Sequence, residues 1–432
     1  MPMKHFSLPY GKGSLSFEIP EEQLLCTVFG SEKPGIGDLE KAYRNALEHP
    51  YDSPPLSQIV KPGDSVAILV ADITRAWHLN ADTLPFLLDV LNELGVSDEK
   101  IIIIIAVGGH RANTEAEFVE LCGAEVCHRI RVMNHDAYDE KNMVYLGRTS
   151  RGTEVSANKI ALEADRLIMT GGVVYHFMVG YGGGRKMLLP GISGIKTIRQ
   201  SHLWSLGPNL GDGSNPGSVS GATRGNPAHD DMMDVCSFVK PDFIVNMVPN
   251  LAGEIVGLYA GNWVSAWIEA TKLVDEIFSA EIQEQADIVI GSAGGYPRDI
   301  NLYQTSKLMA NCYEACKSTG VNVLLSECSD IAEPLEFFQW FDFRDIVDME
   351  RALRAEFTIA GWCAFKVAEY CRKKSILLTR KENAKYVEKT SLIPAYSMEE
   401  ALSKAYELCG TKKPKITVMP QGASVLPRMK KV

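Results

Sequence analysis

No stretch of the sequence is long and apolar enough to cross a membrane. The longest uninterrupted apolar run in its 432 residues covers residues 101–107, which is the length of a strand and far short of the roughly 20 residues that span a bilayer. Residues 1–20 also lack the basic start, apolar run and small-residue cleavage site of a secretion signal. The sequence therefore predicts a cytoplasmic protein with no membrane partner.

Two further deficits exclude other classes of partner and site. Basic residues are outnumbered, with Lys+Arg 44 against Asp+Glu 54 and a net charge of -10 at pH 7, so the chain repels phosphate backbones and predicts no nucleic-acid partner. The 10 cysteines include no C-x-x-C pair, and Cys122/Cys127 and Cys312/Cys316 miss the usual zinc spacing. We interpret them as reduced core residues.

The rest of the composition is typical of a folded globular protein, and the length predicts more than one domain. Hydrophobic residues make up 46%, charged residues 23%, and the mean hydropathy is -0.05. Buried-strand patterns, separated by helix-period segments such as residues 82–94, predict a largely parallel α/β sheet. The predicted strands cover residues 65–70, 101–107, 165–170 and 243–247.

A second series of strands and helices follows an amphipathic segment at residues 263–280. This series predicts another α/β domain, with elements at residues 286–291, 301–318, 321–325, 358–371 and 376–379. We place the boundary near residue 280, because a new strand begins there after a helix long enough to connect two bodies. The prediction is an N-terminal domain over residues 1–280 and a C-terminal domain over residues 281–415.

All nine histidines lie in the first 229 residues, so imidazole chemistry must come from the first domain. His110 follows a predicted strand and Gly108-Gly109, and His176 repeats this arrangement after another strand and Gly171-Gly172. Open α/β sheets bind ligands at the carboxyl ends of their strands. One such histidine is more often structural, but two in parallel patterns favour a pair of acid/base groups.

A short polar cluster, Asp72-Ile-Thr74-Arg75, follows the first predicted strand. Arg75 offers a planar fork for a carboxylate or a phosphate, and Thr74 offers a hydroxyl. An ordinary helix cap with a surface ion pair explains the cluster equally well.

The glycine-rich segment at residues 180–191 reads GYGGGRKMLLPG. It matches neither the P-loop frame nor G-x-G-x-x-G. Successive glycines such as Gly183 and Gly184 let the backbone approach a ligand and can form an anion nest, to which Arg185 and Lys186 add positive charge. The segment predicts a phosphate-bearing ligand, with a flexible hinge as the alternative.

Two helices carry further candidates. His202 lies on a predicted helix at residues 195–204, where a lone histidine is usually structural. Asn301, Gln304 and Lys307 recur at helical spacing and predict a polar face towards the ligand. An ordinary solvated helix face explains this second pattern at least as well.

In order and spacing, these residues resemble those of the nickel-pincer lactate racemases and their 2-hydroxyacid racemase and epimerase relatives. The resemblance covers nearly the whole chain. It rests on Asp72-x-x-Arg75, Gly-x-His110-Arg111 with Thr114-Glu115, His176 followed by Gly-Gly-Arg-Lys186 and Pro190-Gly191, His202, Tyr303-Gln304-x-x-Lys307, and Trp362.

The resemblance implies two α/β domains with mainly parallel sheets around a central cleft, with residues 416–432 returning to the first domain. It also implies a nickel-pincer nucleotide, which is a pyridinium-3-thioamide-5-thiocarboxylic acid mononucleotide that holds nickel through one carbon and two sulfurs. By similarity, Lys186 would carry the thioamide bond and His202 would be the fourth nickel ligand. The further cofactor-binding residues implied in this way are Asp72, Thr74, Arg75, Gly183, Gly184 and Pro190.

The activity implied by the resemblance is racemisation or epimerisation of a 2-hydroxy acid through a 2-keto acid, with hydride rather than proton removal from C2. His110 and His176 match the two acid/base positions, and the cofactor-synthesis enzymes would be partners. Arg75, Tyr303, Gln304, Lys307 and Trp362 would bind the substrate. Tyr175 stands where the family commonly has proline and Tyr181 where it commonly has phenylalanine, so the particular hydroxy acid stays open.

Three other functions remain as alternatives. A nicotinamide-dependent 2-hydroxyacid oxidoreductase would share hydride chemistry, but the chain has no G-x-G-x-x-G between strand and helix. A zinc hydrolase would use His110, His176 and His202 as ligands. A non-catalytic sugar-acid or nucleotide-binding protein would not need both His110 and His176.

Overall fold

The computed structural model describes residues 2–430, which divide into two compact units. The N-terminal unit comprises Glu32–Leu206 and Asn215–Ile277. The C-terminal unit comprises the described residues up to Ser31, the segment Gly207–Ser214, and the described residues from Phe278 onward. Each unit is an α/β structure, so the predicted fold class is confirmed.

The strands, in chain order, are β1 (Met3–Tyr10), β2 (Gly13–Pro20), β3 (Leu24–Thr27), β4 (Val66–Ala71), β5 (Ile101–Ala106), β6 (Arg131–Asn134), β7 (Met143–Arg148), β8 (Glu154–Asn158), β9 (Arg166–Gly172), β10 (Tyr175–His176), β11 (Gly180–Tyr181), β12 (Phe243–Pro249), β13 (Ile255–Gly261), β14 (Ser279–Ile282), β15 (Ala286–Ser292), β16 (Cys316–Leu325), β17 (Lys374–Leu378), β18 (Ile393–Ala395), β19 (Ile416–Met419) and β20 (Leu426–Met429).

The α-helices are α1 (Leu39–Glu48), α2 (Leu56–Ile59), α3 (Asn80–Glu93), α4 (Glu115–Cys122), α5 (Ala124–Arg129), α6 (Lys159–Glu163), α7 (Ile195–Leu203), α8 (Pro227–Val239), α9 (Ser265–Phe278), α10 (Leu302–Ala315), α11 (Leu335–Phe338), α12 (Ile346–Ala355), α13 (Ile359–Tyr370), α14 (Ala384–Val387) and α15 (Met398–Cys409). Two 3₁₀ helices, Ile73–His78 and Gly184–Met187, belong to the candidate site.

The main sheet of the N-terminal unit has six strands in the order β13-β12-β9-β4-β5-β6. All neighbours are parallel except β12 and β13. The four strands predicted in this half of the sequence are therefore confirmed, as β4, β5, β9 and β12. Their runs of valine, isoleucine and leucine are buried on both faces, as parallel sheets covered by helices require.

The main sheet of the C-terminal unit is parallel throughout, in the order β18-β17-β16-β15-β19-β3. Strand β3 is thus drawn from the N-terminal end of the chain, where the sequence predicted the first domain. Strand β19 pairs with β15 and β3, and β20 pairs with β14. The predicted return of residues 416–432 to the first domain is therefore wrong for residues 416–430, because β19 and β20 complete the pairing of the C-terminal unit; residues 431–432 lie outside the described residues.

The short segment Gly207–Ser214 also joins the C-terminal unit, held by two buried glutamates. Glu350 Oε2 accepts the N–H groups of Gly211 and Gly213, at 3.0 and 3.2 Å. Glu369 accepts the Ser214 N–H at 2.9 Å and its hydroxyl at 2.5 Å. Several accepted hydrogen bonds offset the free-energy cost of burying a carboxylate. The two glutamates can therefore hold the backbone of residues 207–214, which pairs with no sheet.

The ten cysteines are all free thiols, and most are buried. Burial raises the pKa of Cys122, Cys236 and Cys316 to about 12. A raised pKa keeps a thiol protonated and unreactive. This agrees with their interpretation as reduced core residues.

Candidate active site

Three of the predicted residues follow three adjacent strands of the N-terminal sheet. Asp72 follows β4, His110 lies shortly after β5, and His176 lies shortly after β9. Strands β5 and β9 flank β4 in parallel register. Because the carboxyl ends of parallel strands meet at one edge of a sheet, these side chains lie at the edge where open α/β sheets bind ligands.

Asp72 and His110 form a hydrogen-bonded pair. The His110 Nδ1 atom lies 2.5 Å from Asp72 Oδ2, and the Thr74 hydroxyl donates to Asp72 Oδ1 at 2.6 Å. Burial raises the pKa of Asp72, but the hydrogen bonds and the charge of His110 outweigh it and hold the pKa below its usual value. The ionised carboxylate only accepts, so Nδ1 carries the proton and Nε2 of the neutral ring keeps its lone pair.

Arg75 lies in the 3₁₀ helix that follows β4, and its position is fixed from within that helix. Its Nη1 atom donates to the Thr74 carbonyl at 3.0 Å and to the Thr74 hydroxyl at 3.1 Å. Its charge also contributes to lowering the pKa values of His176 and Lys186, after burial in both cases. Arg75 therefore lies with these residues at one site, and its binding of an anion stays a prediction.

His176 is held by a backbone donor on one side and faces Lys186 on the other. The Met178 N–H donates to His176 Nδ1 at 3.2 Å, and His176 Nε2 lies 3.1 Å from Lys186 Nζ. Since Nδ1 accepts, the neutral ring carries its proton on Nε2. Burial, followed by the charges of Lys186 and Arg75, keeps the pKa of His176 well below its usual value.

Lys186 lies in the 3₁₀ helix Gly184–Met187, and its amine is unusually acidic. Loss of hydration, followed by the charges of Arg75 and Arg185, lowers its pKa to about 7. An amine with this pKa is substantially neutral near neutral pH, and only the neutral form is a nucleophile. Lys186 is therefore suited to forming a covalent bond through nitrogen.

The two glycines before Lys186 meet a steric requirement. Gly183 and Gly184 have φ values of 64° and 52°. A Cβ atom on Gly184 would lie 2.8 Å from Trp267 Cδ1, and one on Gly183 would lie 2.6 Å from Val173 Cγ2. The Gly184 N–H donates to Asn246 Oδ1 at 3.0 Å, so this group of the predicted anion nest is occupied by the protein itself.

Arg185 differs from its predicted role, because its side chain is fully buried in the interior of the unit. Its Nη2 atom donates to the carbonyls of Val179 and Tyr181, at 2.9 and 3.2 Å. Its guanidinium lies 3.8 Å from the centre of the Trp267 ring. Burial lowers the pKa of Arg185 to about 9. Arg185 thus supports the glycine-rich segment from within, and Arg75 supplies positive charge at the site.

His202 lies on the last turn of α7 and is buried. Its Nδ1 atom donates to the Ile198 carbonyl at 2.7 Å, so the lone pair of the neutral ring is on Nε2. Burial, then the charge of Lys186, lowers its pKa to about 4, and the charge of His110 contributes in the same direction. A neutral imidazole oriented by a backbone acceptor is the form that ligates metals.

Pro190 connects the lysine segment to the His110 loop. A Cβ atom on Gly108 would lie 3.0 Å from Pro190 Cβ, and the Gly108 N–H donates to the Gly191 carbonyl at 2.9 Å. Gly108, with φ of 58°, permits this close approach. The loops that carry the predicted base and the predicted anchor therefore support each other directly.

The C-terminal unit holds the other predicted site residues. Tyr303, Gln304 and Lys307 lie on α10, where Asn301 Oδ1 accepts the Gln304 N–H at 2.9 Å as the helix cap. Lys307 Nζ donates to Gln304 Oε1 at 2.8 Å. The three residues of the predicted polar face, Asn301, Gln304 and Lys307, therefore contact one another, and the contact of this face with a ligand stays a prediction.

Trp362 lies on α13 and is fully buried. Its ring packs near Phe357 and Phe365, with centres 6.1 and 6.2 Å away. Its indole N–H has no hydrogen-bond partner within residues 2–430. Trp362 is thus a core residue of its unit, and its predicted contact with substrate stays a prediction.

Sequence reasoning missed two supports of the site. Asn246 lies in the buried strand β12 and accepts the Gly184 N–H, and Asp275 on α9 accepts hydroxyl groups from Tyr175 and Tyr181. A single amide within the otherwise apolar run FIVNMVP was a usable signal, because a buried polar side chain needs a partner. Asp275 gave no such signal, since one acid on an amphipathic helix is ordinary.

Two properties of the described residues bear on other functions. No three His, Cys, Asp or Glu side chains within residues 2–430 are grouped so that they could hold a metal ion, which is the arrangement that the zinc alternative requires. None of the helices in the same range has the length and apolar content needed to cross a membrane.

Family models match most of the sequence. A model of the lactate racemase N-terminal domain matches residues 10–213, and a model of the lactate racemase C-terminal domain matches residues 282–427. A lactate racemase of Thermoanaerobacterium thermosaccharolyticum is 32% identical over 437 residues, covering 99% of this chain and 100% of the relative. A lactate racemase of Lactiplantibacillus plantarum is 28% identical over 434 residues, covering 98% and 100%.

Solved structures agree with these sequence matches. The lactate racemase apoprotein from Thermoanaerobacterium thermosaccharolyticum superposes with a TM-score of 0.89 at 31% identity, covering 98% of this chain and 100% of that chain. A crystal structure of a Thermotoga maritima protein gives a TM-score of 0.66 at 15% identity, covering 92% and 100%. At that identity the second match shows the fold alone.

Proposed function

We propose that this chain, which belongs to the lactate racemase family and is therefore a racemase, interconverts the two enantiomers of a 2-hydroxy acid. Lactate is the first substrate to test, since the two relatives are lactate racemases. The reaction removes hydride from C2, passes through a planar 2-keto acid and returns hydride to either face.

One observation carries this proposal. Two imidazoles, His110 and His176, follow strands on either side of β4, and Lys186 Nζ lies 3.1 Å from one of them. A racemase needs an acid/base for each enantiomer, and simple binding needs neither. The pair of histidines around an acidic lysine therefore supports catalysis over binding.

The residues present fit a nickel-pincer nucleotide joined to Lys186. The lowered pKa of Lys186, about 7, suits its nitrogen to bond formation, and the two positive-φ glycines leave no room for side chains beside it. The lone pair on His202 Nε2 suits it as the fourth nickel ligand. Six further residues lie near Lys186 or near the His110 loop in the sequence or in space. We propose that they bind the cofactor: Asp72, Thr74, Arg75, Gly183, Gly184 and Pro190.

Proton abstraction from C2 would place a carbanion beside an ionised carboxylate, where little stabilises it. When bound, the cofactor would supply an acceptor for hydride, which avoids that carbanion. The chain's own task is then to hold the substrate carboxylate and to move the hydroxyl proton. We propose that Arg75, Tyr303, Gln304 and Lys307 bind the substrate, with guanidinium and ammonium groups on its carboxylate. Trp362 is fully buried, so binding of substrate by its ring would require α13 to expose it.

Proton movement falls to the two histidines in turn. His110 can accept the hydroxyl proton at Nε2, because Asp72 holds the proton of Nδ1 and stabilises the charged ring that forms. We propose that His176 acts through Nε2 as well, since the Met178 N–H occupies its Nδ1. Loss of the only proton of the neutral ring would leave an imidazolate, so His176 returns a proton after it has taken up a second one from solvent at Nδ1, in place of the Met178 hydrogen bond. One ring thus takes the hydroxyl proton as the 2-keto acid forms, the other ring in its charged form returns a proton for the opposite enantiomer, and exchange with solvent restores both rings.

The test is a panel of enantiopure 2-hydroxy acids, beginning with D- and L-lactate, followed by chiral chromatography. Protein produced together with the cofactor-synthesis enzymes should interconvert one pair and carry added mass on the Lys186 peptide. Protein produced without them, and the variant Lys186→Ala produced with them, should show neither. Interconversion by Lys186→Ala at the wild-type rate would contradict the proposal, as would a loaded enzyme that acts on no member of the panel.

A further inference from the structure

The His176 hairpin carries two tyrosines that share one acceptor. Strands β10 and β11 pair antiparallel, with Tyr175 opposite Tyr181 and His176 opposite Gly180. The two tyrosine rings lie 5.4 Å apart. Both hydroxyls donate to the same atom, Asp275 Oδ1 of α9, at 2.7 Å each.

We propose that Tyr175, Tyr181 and Asp275 form a clamp that positions His176 for proton transfer. They are positioning residues and do not touch the reacting atoms. The effect on turnover rests on the proposed function, in which His176 exchanges the substrate proton. The effect on the hairpin does not, because it follows from the hydrogen bonds alone.

The geometry of the hairpin explains why His176 needs this support. Successive residues of a strand point to opposite faces, so the Tyr175 side chain leaves the strand on the face opposite to that of His176. The residue paired with His176 is Gly180, which offers no side chain to pack against the imidazole. A hairpin with two residues per strand is too short to be rigid by itself. The orientation of the His176 ring therefore depends on what holds the other face.

Helix α9 is packed into the interior and can hold the tyrosine face of the hairpin in place. Trp267, Ala270, Val274 and Ile277 on this helix are buried. The Trp267 indole N–H also donates to the Gly182 carbonyl at 2.9 Å, directly after the hairpin. The helix thus contacts the hairpin at two places, two turns apart, and Asp275 provides the contact that lies across from His176.

Charge plays a smaller part in this arrangement than hydrogen bonding. The pKa of His176 is lowered chiefly by burial and by the charges of Lys186 and Arg75. We therefore expect Asp275 to act on His176 through the backbone of the hairpin. An asparagine at this position would keep an oxygen that accepts both hydroxyls. Asp275→Asn is therefore the conservative variant, and Asp275→Ala removes the acceptor.

The first measurement is hydrogen exchange of the Met178 amide in the apoprotein. This amide donates to His176 Nδ1, so its exchange rate reports how well the ring and the hairpin are held together. We expect exchange to rise about 10-fold or more in Asp275→Ala and in Tyr175→Phe/Tyr181→Phe, and to stay near the wild-type rate in Asp275→Asn. Tyr145→Phe is the matched control, because Tyr145 is exposed on β7.

The second measurement is kcat and KM of the loaded enzyme. Misplacing a catalytic group by about 1 Å can cost 10²-fold in rate, so Asp275→Ala should lower kcat about 10- to 100-fold with little change in KM. Each single tyrosine variant should fall between this value and wild type, and Asp275→Asn should restore kcat to within about 3-fold. In this proposal the clamp holds His176 and not the substrate, which is why KM should change little.

Three results would overturn the clamp. The first is Met178 exchange in Asp275→Ala that matches wild type. The second is an equal loss of kcat in Asp275→Asn and Asp275→Ala, which would mean that charge and not hydrogen bonding matters. The third is a loss of thermal stability in Asp275→Ala with kcat intact, which would mean a purely structural role. A wild-type enzyme that racemises nothing would end the proposed function, and the exchange result would still decide the clamp.

Discussion

His110 and His176 occupy equivalent positions after strands of one sheet, yet their surroundings are opposite. The His110 side chain is 41% exposed and gives its Nδ1 proton to the carboxylate of Asp72. His176 receives a backbone N–H at Nδ1 and faces the amine of Lys186. A carboxylate stabilises a protonated ring, whereas a donor and nearby cations stabilise a neutral one.

The difference teaches that two groups with one task can start from opposite tautomers. In the neutral rings, Nε2 of His110 has the lone pair and Nε2 of His176 has the proton. The partner of His110 is a carboxylate that accepts, whereas the partners of His176 are a backbone donor and an amine. The sequence pattern, a histidine after strand and Gly-Gly, was the same for both and could not reveal this difference.

Removing either ring should have the largest effect. We expect His110→Ala and His176→Ala each to lose about 10²- to 10⁴-fold in turnover, the range for general acid–base groups. Both directions must fall together, because the enantiomers have equal free energies and the ratio of the two kcat/KM values is fixed. Chiral chromatography from each enantiomer measures this, with His128→Ala, on the exposed face of α5, as the control. Full turnover in either variant would refute the two-base assignment.

Removing the carboxylate beside His110 should have the next largest effect. Asp72→Asn keeps the shape but presents a neutral amide, which no longer stabilises the charged ring. We expect kcat per loaded enzyme to fall about 10- to 100-fold. Since we also propose that Asp72 binds the cofactor, the adduct on the Lys186 peptide must be counted by mass spectrometry in the same sample. Unchanged turnover per adduct would mean that the Asp72–His110 bond is not used.

Removing the charge beside His176 should make its surroundings less unlike those of His110. In the apoprotein variant Lys186→Met, the pKa of His176 should rise towards its usual value, since the charge of Lys186 is one of the causes that lower it. The rise should be partial because burial is the larger cause. Titration of the imidazole resonances by NMR measures it. An unchanged His176 titration would show that the charge of Lys186 does not contribute to its pKa.

The smallest expected effect is on the chemistry of Lys186 itself. With a pKa of about 7, its amine in the apoprotein should acylate half-maximally near pH 7, because the neutral fraction grows as pH rises through that value. Peptide mass spectrometry after brief labelling at a series of pH values measures this, and the exposed Lys61 serves as the internal comparison. Labelling of Lys186 that rises only above pH 9 would contradict the lowered pKa.

Much of the fold was predictable because buried parallel strands consist of continuous runs of apolar residues in the sequence. Strand β5, with five consecutive isoleucines, needs no partner to be recognised. Strand β3 was not predicted, since its four half-buried residues become a strand only by pairing with β19, almost 400 positions away. Pairing across such a distance leaves no local trace in the sequence.

The site followed the same rule. Motifs at strand ends predicted which residues meet, because parallel strands bring their carboxyl ends together. The inward turn of Arg185 was not predictable, since neighbouring Arg185 and Lys186 look alike in sequence and only the position of the Trp267 ring separates them. The departures at Tyr175 and Tyr181 were visible in the sequence, but their common partner on α9 was not.

The route of the chain between the two units has a practical consequence. The backbone passes from one unit to the other at Ser31, Leu206, Ser214 and Ile277, so no single cut yields an intact half. A fragment ending at residue 280 would carry β3 without its sheet, and the remaining fragment would lack the loop that Glu350 and Glu369 enclose. Neither half can be exchanged between relatives as one continuous segment. A chimera that combines the two units of different relatives therefore needs four junctions in the chain.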